Sequence, residues 1–171
     1  DKPAAVFWEC PEGGDVLFKH LRTINMVMMP VDREDQTEPD DRRVDELVVF
    51  RHADSGVVAQ VLTALDEHQF LRFFGPASCL VCLPGEEWFE DKGVLVGEKP
   101  VGTGSRSGFL RLNDENLEII EANREKATRA RLSKYLSKTA PEYTSRKSKS
   151  EMDTWLHGQV GEARSYGVRS E

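Results

Sequence analysis

Apolar residues in the first part of the chain occur in short runs that are typical of strands. The runs are rich in β-branched and aromatic residues and are bounded by turn residues. They lie at 4–8, 26–31, 47–50 and 78–83, and a further strand is expected around Trp88 and 94–96. We expect 47–50 to pair with 26–31 across an acidic loop at 32–46. The pattern predicts a small mixed or antiparallel sheet.

Helical periodicity separates these runs. The first helix that it predicts has Asp15 as its candidate N-cap and one apolar face, made of Val16, Leu17, His20, Leu21 and Ile24. Two short helices are predicted in series, at 57–65 and 67–74. Asp54 or Ser55 is expected to cap the first of them and Asp66 the second. The second helix should stop at Gly75 and Pro76.

The second part of the chain changes to helical spacing after a Gly- and Ser-rich stretch at 97–108. A long helix is predicted at 114–136, with Asn113 as N-cap, acidic residues early and basic residues late, as the helix dipole favours. A last helix is predicted from an apolar stripe at Met152, Trp155, Leu156, Val160 and Ala163.

The predicted fold is therefore α+β within the broad α/β class. It has a small mixed or antiparallel sheet with flanking helices, followed by a C-terminal helical lobe. We place an α/β lobe at 1–96, a Gly-rich connection at 97–111 and a helical lobe at 112–171, because the periodicity changes across the connection.

Composition narrows the class of protein. The net charge is -7, and no apolar run approaches the roughly 20 residues that cross a bilayer. These features argue against general binding to nucleic acid or to an anionic membrane. Three cysteines in apolar surroundings, an odd number, suit a reducing compartment, so a cytoplasmic location is expected.

Candidate chemistry is weak throughout the sequence. Cys79 and Cys82 have the spacing of a redox or zinc pair, but residues three apart in a strand point to opposite faces. The glycines at 102, 104 and 108 lack the lysine and hydroxyl residues of a phosphate-binding loop. His20 and His52 have no nucleophile in a catalytic context beside them. We expect no catalytic, cofactor-binding or metal-binding residues.

The turn after the strand at 47–50 has two interpretations. Asp54 could cap the next helix while Arg51 ties down the turn, or Asp54 could act as a catalytic acid or base. The structural role is favoured, because spacing fixes no second carboxylate or histidine beside it. The basic stretch at 124–149 has few interleaved aromatic residues, which favours a solvated face or a docking face for an acidic partner over a nucleic-acid site.

Several short segments resemble the effector adaptor and chaperone family of type VI secretion systems (domain of unknown function 4123). The segment 50–55, Phe-Arg-His-Ala-Asp-Ser, is similar to the family's strand-end pattern of Phe-Arg, two mostly aromatic positions and Asp-Pro. Ala53 and Ser55 depart from that pattern. The segment 73–76 resembles its Phe-Phe-Gly-Pro step, His20-Leu21-Arg22 its His-Leu-Arg, and 163–168 its closing Tyr-Gly segment. The motif residues expected to be structural are Phe50, Arg51, Asp54, Phe74, Gly75 and Pro76.

The resemblance implies a function and a set of partners. Members are cytoplasmic, non-catalytic chaperones of Gram-negative bacteria that hold a secreted effector, often through its N-terminal helices, and load it onto the spike protein. The resemblance also implies that this chain corresponds to the C-terminal part of the domain. Two alternatives stay open, namely a general protein-interaction module outside secretion and a small hydrolase or nuclease whose site lies partly in a preceding segment.

The helical lobe supplies the candidate partner-binding residues. Its apolar side chains exceed what two helices can bury against each other, and such surfaces usually mark partners. The candidates are Leu117, Ile120, Trp155, Leu156, Val160 and Tyr166. The alternative is that these stripes pack as core, against each other or on the sheet.

Overall fold

A computed structural model describes residues 5–31, 44–84, 95–99 and 108–168 and has the predicted α+β fold. In chain order its elements are β1 (Val6–Glu9), α1 (Gly14–Thr23), β2 (Met26–Val31), β3 (Val44–Val49), α2 (Ser55–Leu62), α3 (Glu67–Phe74), β4 (Cys79–Cys82), β5 (Leu95–Glu98), β6 (Leu110–Arg111), α4 (Asp114–Thr139), α5 (Pro141–Thr144) and α6 (Lys149–Ser165). Most of the predicted acidic loop, Trp88 and the glycines at 102 and 104 lie outside the described residues.

The described strands form two three-stranded sheets. Sheet A has the order β1-β4-β5 and is antiparallel throughout. Sheet B has the order β3-β2-β6, in which β2 and β3 are antiparallel and β2 and β6 are parallel. The predicted pairing of the runs at 26–31 and 47–50 is confirmed, although β3 begins at Val44 and ends before Phe50.

β5 overlaps the strand expected at 94–96, but it continues into the Gly-rich region, which also contributes β6. Gly97 belongs to β5 and pairs with Leu80, and Leu110 in β6 pairs with Val27. Gly97 fits there because a Cβ at this position would lie only 3.1 Å from Cζ of Phe74. The predicted connection at 97–111 therefore contains strand residues at both of its ends.

Helix caps follow local chemistry closely. Asp66 and Gln69 form a capping box at the start of α3, and Asn113 accepts a hydrogen bond of 2.9 Å from the Asn116 amide at the start of α4. The prediction for α1 was wrong in detail. Gly13, with φ of +94°, occupies the N-cap, and Asp15 lies in the first turn, where its charge favours the helix dipole.

The chain divides into two compact units, Asp1–Glu121 and Ala122–Glu171. The division falls inside α4, whereas the sequence placed it in the Gly-rich connection. The first unit contains both sheets and one core, with Ile24, Phe73, Phe74 and Leu80 fully buried at its centre. The second unit contains the rest of α4 with α5 and α6, and its buried apolar residues are Ala127, Met152 and Leu156.

Candidate partner-binding surfaces

The motif residues of the first unit converge at the end of α3. The ring of His20 on α1 makes a 2.8 Å hydrogen bond through Nε2 with the Phe73 carbonyl oxygen. Gly75 follows with φ of +54°, and a Cβ at this position would overlap the His20 ring. Glycine is thus required both by the backbone and by the close approach of the ring. The His-Leu-Arg and Phe-Phe-Gly-Pro segments meet at this point.

Aromatic packing joins the third motif segment to the same place. Phe50 lies edge-on to Phe73 with ring centroids 6.0 Å apart, and Phe73 lies edge-on to Phe74 at 5.7 Å. Trp8 of β1 packs on Phe73 at 5.2 Å. Pro76 is buried, and its carbonyl accepts a hydrogen bond from the Cys10 thiol. Edge-to-face contacts between these aromatic rings stabilise the core.

Asp54 caps α2, as predicted. Its Oδ1 accepts hydrogen bonds from the Gly56 and Val57 amides at 2.9 and 3.2 Å, and Arg51 Nη1 lies 3.8 Å from its other oxygen. Both side chains are substantially exposed, so the ion pair contributes little beyond the cap. The Asp54 carboxylate therefore holds the turn between β3 and α2.

The cysteines behave as the strand geometry predicts. Cys82 is fully buried, and burial raises the pKa of its thiol to about 11. Cys79 faces the other side of β4, where desolvation, followed by the charges of Glu9 and Glu98, raises the pKa of its thiol. Both thiols are therefore protonated at neutral pH. Among the described residues, no group of three or more metal-binding side chains comes together.

Sequence reasoning missed two buried polar groups. Arg72 is 6% exposed and donates to the Gly108 carbonyl and to Thr23 Oγ1, which ties the end of α1 to the segment before β6. Asn116 is also buried and donates to the Ala64 carbonyl and to Gln69 Oε1. The available signal was the position of Arg72 between Leu71 and Phe73, in an otherwise apolar helix end.

The side-chain amide of Asn25 holds the ring of His52 in place. Its Nε2 lies 2.7 Å from Asn25 Oδ1, and burial lowers the pKa of the imidazole. The ring is therefore predominantly neutral at pH 7. This contact connects the turn after β3 to the start of β2.

The outer face of sheet A carries an apolar row. Phe7, Val81 and Val96 are cross-strand neighbours on β1, β4 and β5. Phe7 is 61% exposed and Val96 55% exposed, while Val81 between them is half-buried. The next row has Glu9, Cys79 and Glu98 in register. The opposite face, with Trp8 and Leu80, packs on the core.

The outer face of sheet B is also apolar. Met26 pairs with Val49 and Met28 with Leu47, and Val49 and Leu47 are exposed. Arg111 on β6 reaches across this face to Asp45 on β3, with Nη1 3.1 Å from Oδ2. Both sheets of the first unit thus bury one face and expose apolar side chains on the other.

The six predicted partner-binding residues do not share one compact unit. Leu117 and Ile120 belong to the first unit and pack against its core, as the alternative interpretation expected. In the second unit Leu156 is 3% exposed and Val160 is half-buried. Trp155 and Tyr166 remain 40% and 78% exposed, so only these two present large surfaces to a partner.

The second unit is held by a polar network as well as by its small apolar core. Glu125 on α4 lies 2.6 Å from Arg129 Nη1, 2.9 Å from His157 Nδ1 and 3.2 Å from Arg164 Nη1. Arg129 Nε also donates to Asp153 at 2.9 Å. These contacts connect α4 to α6 along one flank. A charge-assisted network of this kind fixes the register of two helices.

None of the helices in the described part of the chain is long and apolar enough to cross a membrane. Comparison with family models, with curated proteins and with solved structures found no match for this chain.

Proposed function

We propose that the protein is a non-catalytic adaptor chaperone that binds a type VI secretion effector and loads it onto the spike protein in the bacterial cytoplasm. The proposal combines the sequence resemblance with the surface of the first unit. The contacts of the resembling segments support a structural role for them, because His20, Phe50, Phe73 and Gly75 meet in one core. The surface that remains outside this core is available for partners.

The observation that carries the proposal is the apolar row on the outer face of sheet A. Phe7 and Val96 expose more than half of their surface at the two outer strands of the sheet. Covering a side chain of this size contributes about 1.5–3 kcal/mol, which is the scale of an interface anchor. The exposed face of sheet B adds Leu47 and Val49. Two such faces suit an adaptor that holds one protein and presents it to another.

Copurification tests the proposal. The full chain is coexpressed with each candidate effector identified from the neighbouring genes and, separately, with the spike protein, and complexes are separated by size-exclusion chromatography. The double variant Phe7→Ser/Val96→Ser should bind the effector at least tenfold more weakly, with a correspondingly higher Kd, because two exposed anchors are removed while the core is untouched. Circular dichroism and the melting temperature should match those of the parent.

A matched control is available on α1. Phe18 is 63% exposed, close to the value for Phe7, and Cζ of Arg22 lies 5.9 Å from the centroid of its ring. Phe18→Ser should leave effector binding unchanged. A parent chain that binds neither effector nor spike, or a double variant that binds as tightly as the parent, contradicts the proposal.

A further inference from the structure

Charge is segregated between the two units. Asp1–Glu121 has 24 acidic and 12 basic side chains, a net charge of -12, whereas Ala122–Glu171 has 6 acidic and 11 basic, a net charge of +5. The excess lies in 122–149, where nine Lys and Arg accompany two Glu. A local positive field therefore persists in a chain whose total charge is negative.

Part of this charge forms a stripe on α4, which we call the basic face. Arg124, Arg131 and Lys138 recur every seven residues, so they lie on nearly the same side of the helix. They span about 21 Å at 1.5 Å per residue, and all three are exposed. Tyr135 lies among them and is 62% exposed.

Three acidic groups of the second unit, Glu125, Glu151 and Asp153, are engaged elsewhere. Glu125 and Asp153 bind Arg129, His157 and Arg164 on the flank between α4 and α6. Glu151 is taken up in the capping box with Ser148, which lowers the pKa of its carboxyl. Arg131 and Lys138 lie outside this network. Their charge is thus directed to solvent rather than to the carboxylates that hold the unit together.

We propose that the basic face docks an acidic amphipathic helix of a partner protein. Resting on the proposed function, that partner is the effector. Charges repeated every seven residues match carboxylates with the same repeat on a helix lying alongside, as at the flanking positions of coiled coils. An extended strand, with a repeat of two residues, matches only by chance. Tyr135 supplies an apolar contact between the ion pairs.

The charge of the other unit favours a protein over nucleic acid. A net charge of -12 on Asp1–Glu121 repels a polyanion, whereas a helix with a few carboxylates on one side carries much less negative charge and is repelled less. Tyr135 is the one aromatic residue in the stripe, whereas single-stranded nucleic acid is usually held by several stacked bases.

Fluorescence anisotropy with the full chain tests this proposal. The probe is a labelled amphipathic helical peptide with glutamate at heptad spacing on one side. Arg131→Glu/Lys138→Glu should weaken binding about tenfold, because two attractive contacts become repulsive, and the affinity of the parent should fall with added salt. The control, Lys19→Glu/Lys126→Glu, makes the same change in net charge on α1 and on the opposite side of α4. It should bind nearly as well as the parent.

Several outcomes overturn the proposal. These are no binding of the peptide by the parent, equal losses in the two double variants, or tighter binding of a single-stranded DNA oligonucleotide than of the peptide. Failure here is distinguishable from failure of the proposed function. If the sheet A variant releases the effector while Arg131→Glu/Lys138→Glu does not, the adaptor stands and the basic face is not its docking site.

Discussion

The imidazole of His20 lies where the side chain of residue 75 would begin. Gly75 leaves this space open and also turns the chain with φ of +54° at the end of α3. The same ring makes a hydrogen bond with the Phe73 carbonyl, so one side chain of α1 fixes the position at which α3 ends. This contact joins two segments that are 53 residues apart.

We predict that Gly75→Ala destabilises the first unit by about 3 kcal/mol. A Cβ at positive φ costs about 1 kcal/mol, and displacing the His20 ring from a close-packed site adds the larger part. Urea unfolding measures the loss. Gly13→Ala is the control, because Gly13 also has positive φ but open space around its Cβ position. Equal losses in the two variants would contradict the role of His20.

The sequence predicted best where structure depends on neighbouring residues. Asp54, Asp66 and Asn113 were identified as caps because side-chain oxygens bind amides two or three residues away. The β-branched run at 47–50 was assigned to a strand with its correct partner. Periodicity also identified α4, which extends to Thr139.

Features that depend on distant contacts could not be predicted. β5 was expected at 94–96, but its continuation through Gly97, which pairs with Leu80, was not, and neither was β6, in which Leu110 pairs with Val27; such pairing overrides a Gly-rich composition. The exposed row of Phe7 and Val96 was missed for the same reason, since only the register of sheet A brings these residues to one face. The apolar surface that the helical lobe offers to a partner is smaller than predicted, because Leu117 and Ile120 pack on the core of the first unit.

Asp54→Ala should lower the free energy of unfolding by about 1 kcal/mol, the usual value of a lost N-cap. Asp54→Asn keeps an oxygen that accepts from the Gly56 and Val57 amides, so it should cost much less. Chemical denaturation of the two variants and the parent provides the comparison. If both variants melted like the parent and Asp54→Ala abolished an enzymatic activity, the structural role of this carboxylate would be wrong.

Stability should fall between about pH 9 and pH 11. The pKa of the Cys82 thiol is raised by burial from 9.0 to about 11, so over this range the unfolded chain loses the proton that the folded chain keeps. The unfolded state is then favoured increasingly as pH rises, by up to about 2 kcal/mol. Cys82→Ala should flatten this part of the pH profile measured by urea unfolding, although its cavity lowers stability at every pH. Cys10→Ala leaves the buried Cys82 thiol in place, so its stability should depend on pH in this range as that of the parent does.

Adjacent residues on α6 allow partner binding and folding to be separated. Trp155 is 40% exposed and lies with Lys147 Nζ 5.9 Å from its ring centre, whereas Leu156 is 3% exposed. If Trp155 anchors the effector, Trp155→Ala should weaken binding by about 2 kcal/mol, roughly thirtyfold in Kd, while the melting temperature changes little. Leu156→Ala should instead destabilise the helical unit by about 2–4 kcal/mol, because it leaves a cavity in a small core.

Calorimetric titration of the effector and thermal unfolding, applied to both variants, measure the two quantities independently. Unchanged binding by a folded Trp155→Ala variant would exclude this side chain from the interface, and unfolding of that variant would assign it to the core.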